Sequence, residues 1–322
     1  MKRREFLATS LALGTSGAFS NLFAKDKFTI YGAPSLPSIT IAVATLQGKL
    51  SKKYDTNLQI WQSPDQLRAG VANGSFKVMM APSNVGLNLA NQGANVGQIN
   101  ILTQGFNSIM SKNGTMSELG ELYGKKMIMP FKNDMPDIVI KVLFKKLNLD
   151  INQVNIDYAS TPTEALTIFL SKDYDAAYLP EPMASASVLK GKTMGISINR
   201  SFDILKQWKE SFNQKIALIP QAGVIADIDF FKKSLEDFEI LHEDLVNALK
   251  WQKENPQSAA EIATNYLSAS IPAIANAVPY ANLCVLKSSE IKEEMNKFFE
   301  VLLDYNPKLI GGKLPKDEFY LW

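Results

Sequence analysis

The chain has 322 residues, 46% hydrophobic and 20% charged, an ordinary globular composition with length for two domains. Its 34 basic and 32 acidic residues nearly balance, which disfavours nucleic acid or an anionic membrane as main partner. A lone cysteine, Cys284, excludes an internal disulfide, and with a lone histidine, His242, it argues against a Cys/His zinc site or a Cys–His nucleophile pair.

In chain order, Met1-Lys2-Arg3-Arg4-Glu5-Phe6-Leu7 opens with a basic run and an arginine pair. The weakly apolar stretch that follows to Phe19 carries Thr9, Ser10, Gly14, Thr15, Ser16 and Gly17, too short and polar to span a bilayer. It reads as an export signal of twin-arginine type over residues 1–24, cut after Ser20 or Ala24. The leader holds three basic residues and one acidic one, so 31 of each remain after its removal.

The mature part alternates strand and helix. Strands are expected at 28–31, 58–61, 78–80 and 98–103, with helices at 38–50, 65–72 and 84–90 between them. The pattern restarts with strands at 125–129, 154–158 and 176–179, helices at 136–147 and 163–170, and a further strand at 194–198. Short apolar runs at 216–219 and 222–226 flank Pro220-Gln221 and read as a crossing back to the first half. From Phe230 onward the chain reads as helical, at 235–254, 256–267 and 288–305, with Asn255 capping and Pro256 opening the second of these. The aromatic tail 314–322 is expected to pack down.

One layout is written twice. Asn57-Leu58-Gln59-Ile60, Pro64 and the run Phe76 to Pro82 match Asn155-Ile156-Asp157-Tyr158, Pro162 and the run Tyr174 to Pro180. The alternation predicts α/β architecture, with a mostly parallel sheet flanked by helices in each of two lobes. Two similar lobes make a cleft, where a small ligand sits. Ligands in such sheets bind at the carboxyl ends of strands, against helix N-termini with free N–H groups. That selects the loops 32–38, 61–65, 81–84, 130–137 and 179–184.

Leu122-Tyr123-Gly124-Lys125-Lys126-Met127-Ile128-Met129-Pro130 resembles the segment that opens the second lobe of ABC-importer substrate-binding proteins of the nitrate, sulfonate, taurine and thiamine-precursor group. Tyr174-Asp175-Ala176-Ala177-Tyr178-Leu179-Pro180-Glu181-Pro182 resembles the Asp-Ala and Glu-Pro pattern of its second half. Lys77 departs from the Asp usual in that group's first lobe. The resemblance covers 28 to about 305 and implies a two-lobe periplasmic-binding-protein-like type II fold that closes by a hinge. It also implies a periplasmic location and delivery of solute to an ABC permease in the inner membrane. The expected division is lobe I over 25–105 and 222–322, and lobe II over 106–221. A monomer is expected, served by the twin-arginine export machinery, with no cofactor.

Pro34, Ser35, Ser83 and Asn84 lie at strand-to-helix turns, as caps or as donors to ligand oxygens. Trp61 ends a strand, as core filler or as an aromatic wall. Phe131, Lys132, Asn133 and Asp134 form the first loop of the second half, where Asp134 is a helix-start residue or a ligand contact. Asp137 reads as a helix-start residue, with a stability role of about 1 kcal/mol or less. Glu181 stands between two prolines, and the resemblance places it at the cleft rim. Gln104 and Gln221 lie at the two crossings. With one Lys, two carboxylates and no Arg or His, these loops favour a small nitrogenous ligand, although helix N-termini also hold sulfonate or nitrate. An enzyme on the same fold and a ligand-sensing subunit feeding a receptor are the other readings. Against an enzyme stand the single Cys and His, with no nucleophile or metal cluster.

Overall fold

Strand β1 (Lys27–Gly32) buries alternate residues, Phe28, Ile30 and Gly32, as a half-covered strand must. The computed structural model describes residues 25–322, and the leader expected over residues 1–24 lies outside them. After β1 come α1 (Ser38–Gln47), α2 (Leu50–Lys53), β2 (Asp55–Ile60), α3 (Pro64–Ala72), β3 (Val78–Ala81), α4 (Ser83–Asn91) and β4 (Val96–Thr103). The second series is β5 (Asn107–Lys112), β6 (Lys126–Pro130), α5 (Met135–Lys146), β7 (Asn155–Ala159), α6 (Pro162–Ser171), β8 (Ala176–Pro180), α7 (Met183–Thr193), β9 (Ile198–Arg200) and α8 (Ile204–Ser211). The chain then returns through β10 (Ala222–Asp227), α9 (Ile228–Lys233), α10 (Leu235–Glu254), α11 (Pro256–Ala263), α12 (Ile271–Ala277), β11 (Leu283–Lys287) and α13 (Lys292–Tyr305).

The first sheet has the order β11-β4-β10-β3-β1-β2, and the second β7-β6-β8-β5-β9. β1 to β4 run one way, and β10 is inserted antiparallel between β3 and β4. In the second sheet β6, β7, β8 and β9 share a direction, and only β5 opposes them. Most strands of each sheet are thus parallel in direction, and the antiparallel insertion is what carries the chain between halves. It leaves the first sheet through residues 104–106 and comes back through 219–221. Gly223, beside that return, admits no side chain, because a Cβ would lie 2.1 Å from the Asn100 carbonyl oxygen.

The repeated prolines have one physical cause. Pro64 and Pro162 each open a helix, where a missing N–H costs nothing. The preceding Ser63 and Thr161 accept from Gln66 N–H and Glu164 N–H. Gln66 and Glu164 reach back to accept from Gln62 N–H and Ser160 N–H, completing the same reciprocal cap twice.

Some expectations need correcting. The expected strand over 194–198 is displaced to Ile198–Arg200. The return is not purely helical after Phe230, since β11 lies between α12 and α13. β5 and α7 were also illegible. α7 is rich in small residues, Ala184, Ser185, Ala186 and Ser187, all buried, so it lacks an amphipathic stripe. Helix α13 buries Met295, Phe298, Phe299 and Leu302 in a core shared with Trp208 of α8 and with Leu87 and Ile101 of the first half. The tail does pack down, with Phe319 and Tyr320 buried.

Candidate functional site

Helices start at the carboxyl ends of parallel strands in both sheets, among them α1 after β1, α3 after β2, α4 after β3, α5 after β6, α6 after β7 and α7 after β8. Their first turns present N–H groups toward the same edge of their sheets. At α1 and α4 no side chain caps the helix, so Ser35, Ser83 and Asn84 do not serve as caps. Pro34 is exposed and Ser35 partly buried, with Ser35 N–H donating to Ala33 O at 2.8 Å. Ser83 is fully buried, and its hydroxyl donates to Pro220 O at 2.7 Å, tying α4 to the returning crossing. Asn84 is 5% exposed, and its Oδ1 has no protein partner.

Trp61 lies in the first hydrophobic core, with its indole N–H donating to Met80 O at 3.0 Å. Its ring therefore packs mainly into core. Gln104 exchanges backbone bonds with both neighbours of the hinge: its N–H donates to Asn282 O, and its carbonyl accepts from Ile219 N–H at 2.7 Å. It also lines a cavity of about 400 Å³ with Lys253, Pro279 and Asn282. A second cavity, about 550 Å³, lies between α5 and α13. Neither is lined by residues from 32–84 or from 131–137. Gln221 is buried and accepts at Oε1 from Phe106 N–H at 3.2 Å.

In the second half, Phe131 and Asn133 both take left-handed backbone (φ 63°), a tight turn that leaves Phe131, Lys132 and Asn133 exposed. Lys132 Nζ stands 5.3 Å from the Tyr158 ring. Asp134 caps α5, accepting from Met135 N–H at 2.8 Å. The turn is held from below by Asp137, 1% exposed, which accepts from Asn133 N–H (2.7 Å), Lys141 Nζ (2.8 Å) and Tyr158 Oη (2.9 Å). Asp137 is therefore a hydrogen-bonded hub, with more partners than a helix-start residue needs.

Glu181 is also 1% exposed. Its N–H donates to Phe106 O at 2.9 Å, its Oε2 accepts from Ser185 N–H at 3.0 Å, and Arg200 stands 2.6 Å from its Oε1 as an ion pair. Burial pushes the Glu181 carboxyl up, and the Arg200 charge offsets only part of that. The Arg200 guanidinium also donates to Ser185 Oγ at 2.7 Å and Ser108 Oγ at 3.3 Å, and lies 3.9 Å over the Tyr280 ring.

Hydrogen bonds thus join Ser83, Pro220, Gln221, Phe106 and Glu181 around the two crossings. Among the described residues none joins the 131–134 turn to that chain. Sequence reasoning missed Arg200, Tyr280 and the Asp137 hub. One signal was present: after residue 24 the chain has 29 lysines and only two arginines, Arg68 and Arg200. Of these two, Arg200 makes a forked and stacked contact that lysine cannot make, and Arg68 makes one exposed contact to Asp65.

Nucleophilic chemistry finds little support here. Burial pushes the Cys284 thiol up to about 12, so it stays protonated. Burial also pulls the His242 imidazole down. Among the described residues no cluster of His, Cys, Asp or Glu could hold a metal ion, and no helix is long and apolar enough to cross a membrane.

No protein-family model matches the chain, and no curated protein matches it. Solved structures do. An ABC transporter from Parabacteroides distasonis superposes with a TM-score of 0.73 at 17% identity, over 92% of this chain and 98% of that one. The periplasmic aliphatic sulphonate-binding protein SsuA from Escherichia coli gives 0.70 at 13% identity, over 92% of both chains. The periplasmic nitrate-binding protein NrtA from Synechocystis PCC 6803 gives 0.59 at 12% identity, over 78% of this chain and 69% of that one. The chain has the two-lobe α/β fold of these periplasmic binding proteins, reached with little sequence in common.

Proposed function

We propose that the protein is a periplasmic solute-binding protein, which captures a small molecule between its two halves and delivers it to an ABC permease in the inner membrane. One observation carries this reading. The first sheet draws its strands from 27–103, 222–227 and 283–287, the second from 107–200, and two short crossings lie side by side between them. That is the wiring of a hinge: rotation at these two backbone segments, with slippage at the α13 and α12 contacts, changes the angle between the halves. The division into 25–105 with 222–322 and 106–221 follows those crossings, with α13 packing on both halves. The Arg3-Arg4 leader supports export by the twin-arginine route.

The proposed contacts are Pro34, Ser35, Asn84 and the α4 N-terminus from the first half, and Phe131, Lys132 and Asn133 from the second. Ser83, Gln104 and Gln221 then act at the hinge, and Asp134 and Glu181 act by holding α5 and α7. Glu181 is buried against Arg200, and Asp134 gives one oxygen to the Met135 N–H. This moves the ligand class toward one that accepts from main-chain N–H groups, such as a sulfonate or nitrate.

The test is mass spectrometry of small molecules released from natively purified protein, followed by thermal-shift titration of sulfonates, nitrate, pyrimidines and amines. A raised melting temperature with one class, and a smaller radius of gyration in the bound form, are expected. No released molecule and no shift across all four classes refute the reading. Loss of residues 1–24 from the exported protein, read by intact mass, checks the leader.

A further inference from the structure

The two halves touch directly beside the hinge, and the contact contains the only arginine of the second half. Arg200 ends β9, the edge strand of the second sheet, whereas Tyr280 sits in the short turn between α12 and β11, which joins the first sheet. The guanidinium carbon lies 3.9 Å from the Tyr280 ring centroid, within the distance of a strong cation–π stack. Tyr280 is otherwise 49% exposed, so its ring face is the part that is covered. Beside this stack α12 packs on α7, and Ala273 of α12 enters the core of the second half among Ala184, Ala186 and Met183. The small residues that hid α7 from sequence reading are what let the two helices approach.

We propose that the Arg200–Tyr280 stack is a clasp that favours the closed arrangement of the two halves, with Glu181 as the positioning residue that aims the guanidinium. Three groups of the second half fix Arg200: the Glu181 carboxylate, Ser185 Oγ and Ser108 Oγ. The two serine hydroxyls accept from the planar fork and Glu181 pairs its charge, while the Tyr280 ring takes its face, an arrangement a lysine ammonium cannot copy. Glu181 is tied in turn through its N–H to Phe106 O in the outgoing crossing. Rotation about that crossing therefore carries Glu181 and Arg200 together toward or away from Tyr280. The clasp sets how readily the halves close, apart from what any solute contributes. The inference rests on the two-lobe, hinged reading above.

The test uses ligand-free protein. Fluorescent dyes on Arg68→Cys and Lys172→Cys, in a Cys284→Ala background, report the distance between halves by single-molecule energy transfer. Y280L keeps apolar bulk without a π face, and Y280F keeps the face without the hydroxyl. The open-to-closed ratio is expected to rise roughly 2- to 30-fold in Y280L, the range a cation–π contact spans, and to stay at the wild-type value in Y280F. R200K is expected to shift it in the same direction. The melting temperature of Y280L should fall by no more than loss of the closed state accounts for, and Y280F should melt with the wild type, which separates a clasp from general stabilisation. Identical distance distributions in wild type and Y280L overturn the proposal, as does an equal shift in Y280F. A distance shift without any solute found in the thermal-shift titration sinks solute binding alone and leaves the clasp standing.

Discussion

Replacing Asp137 by alanine tests whether a buried carboxylate holds the turn that carries Phe131, Lys132 and Asn133. The side chain is 1% exposed and receives three hydrogen bonds, from Asn133 N–H, Lys141 Nζ and Tyr158 Oη, at 2.7, 2.8 and 2.9 Å. Hydrogen bonds to a charged group contribute about 1.5–3 kcal/mol each. They do not add, because the Lys141 side chain is 25% exposed and recovers water once the carboxylate has gone. A loss of about 2–4 kcal/mol is expected, several times that of a helix-start residue alone. Asp137→Asn retains a carbonyl acceptor for one donor and should lose less. Urea unfolding measures both: the midpoint should fall with an unchanged slope. A loss below about 1 kcal/mol in Asp137→Ala would return Asp137 to an ordinary N-terminal residue and refute the hub.

The same hub predicts a pH dependence. Burial pulls the Lys141 ammonium down, yet the Asp137 hydrogen bond and charge leave it above its ordinary value. Burial, then Asp137, raises the Tyr158 hydroxyl. Both groups hold their protons more tightly folded than unfolded, so this stability is present below the unfolded values and is lost as pH rises beyond about 10. Asp137→Asn should make that alkaline decline shallower in pH-dependent urea titrations; an unchanged slope counts against the assignment. Gly223→Ala places a Cβ 2.1 Å from the Asn100 oxygen and 2.6 Å from Gln98 Nε2, so the β10–β4 pair must part. A cost of about 3 kcal/mol or more is expected, at the upper end of core overpacking, and a wild-type urea midpoint would contradict it. Ser83→Ala leaves the Pro220 carbonyl without its buried donor and should cost about 1–3 kcal/mol by the same assay. A change of under about 0.5 kcal/mol would mean that the returning crossing does not rely on Ser83.

Much of the fold is legible because its signals are local. Pro64 and Pro162, each behind a hydroxyl cap, start helices by short-range chemistry alone, and the alternation of apolar runs with such starts spells two α/β halves. The short strands β5 and β9 and the helix α7 were hidden because no pattern within them states what will cover them. Ala184 and Ala186 share a buried cluster with Ala273 of α12, which lies some ninety residues further on. The site divides in the same way. Loops at strand ends were visible, so Ser83, Asn133 and Glu181 stood out as residues, but their partners did not.

The sequence by itself determined the two-lobe plan and the crossing points near Gln104 and Gln221, since these rest on periodicity, caps and composition. Only the tertiary structure decided what each polar side chain does. Arg200 reaches Glu181, 19 positions away, and Tyr280, 80 positions away, and Asp137 reaches Tyr158, 21 positions away. Electrostatic and hydrogen-bond partners act across space at 3 to 4 Å, and distance along the chain carries no record of them.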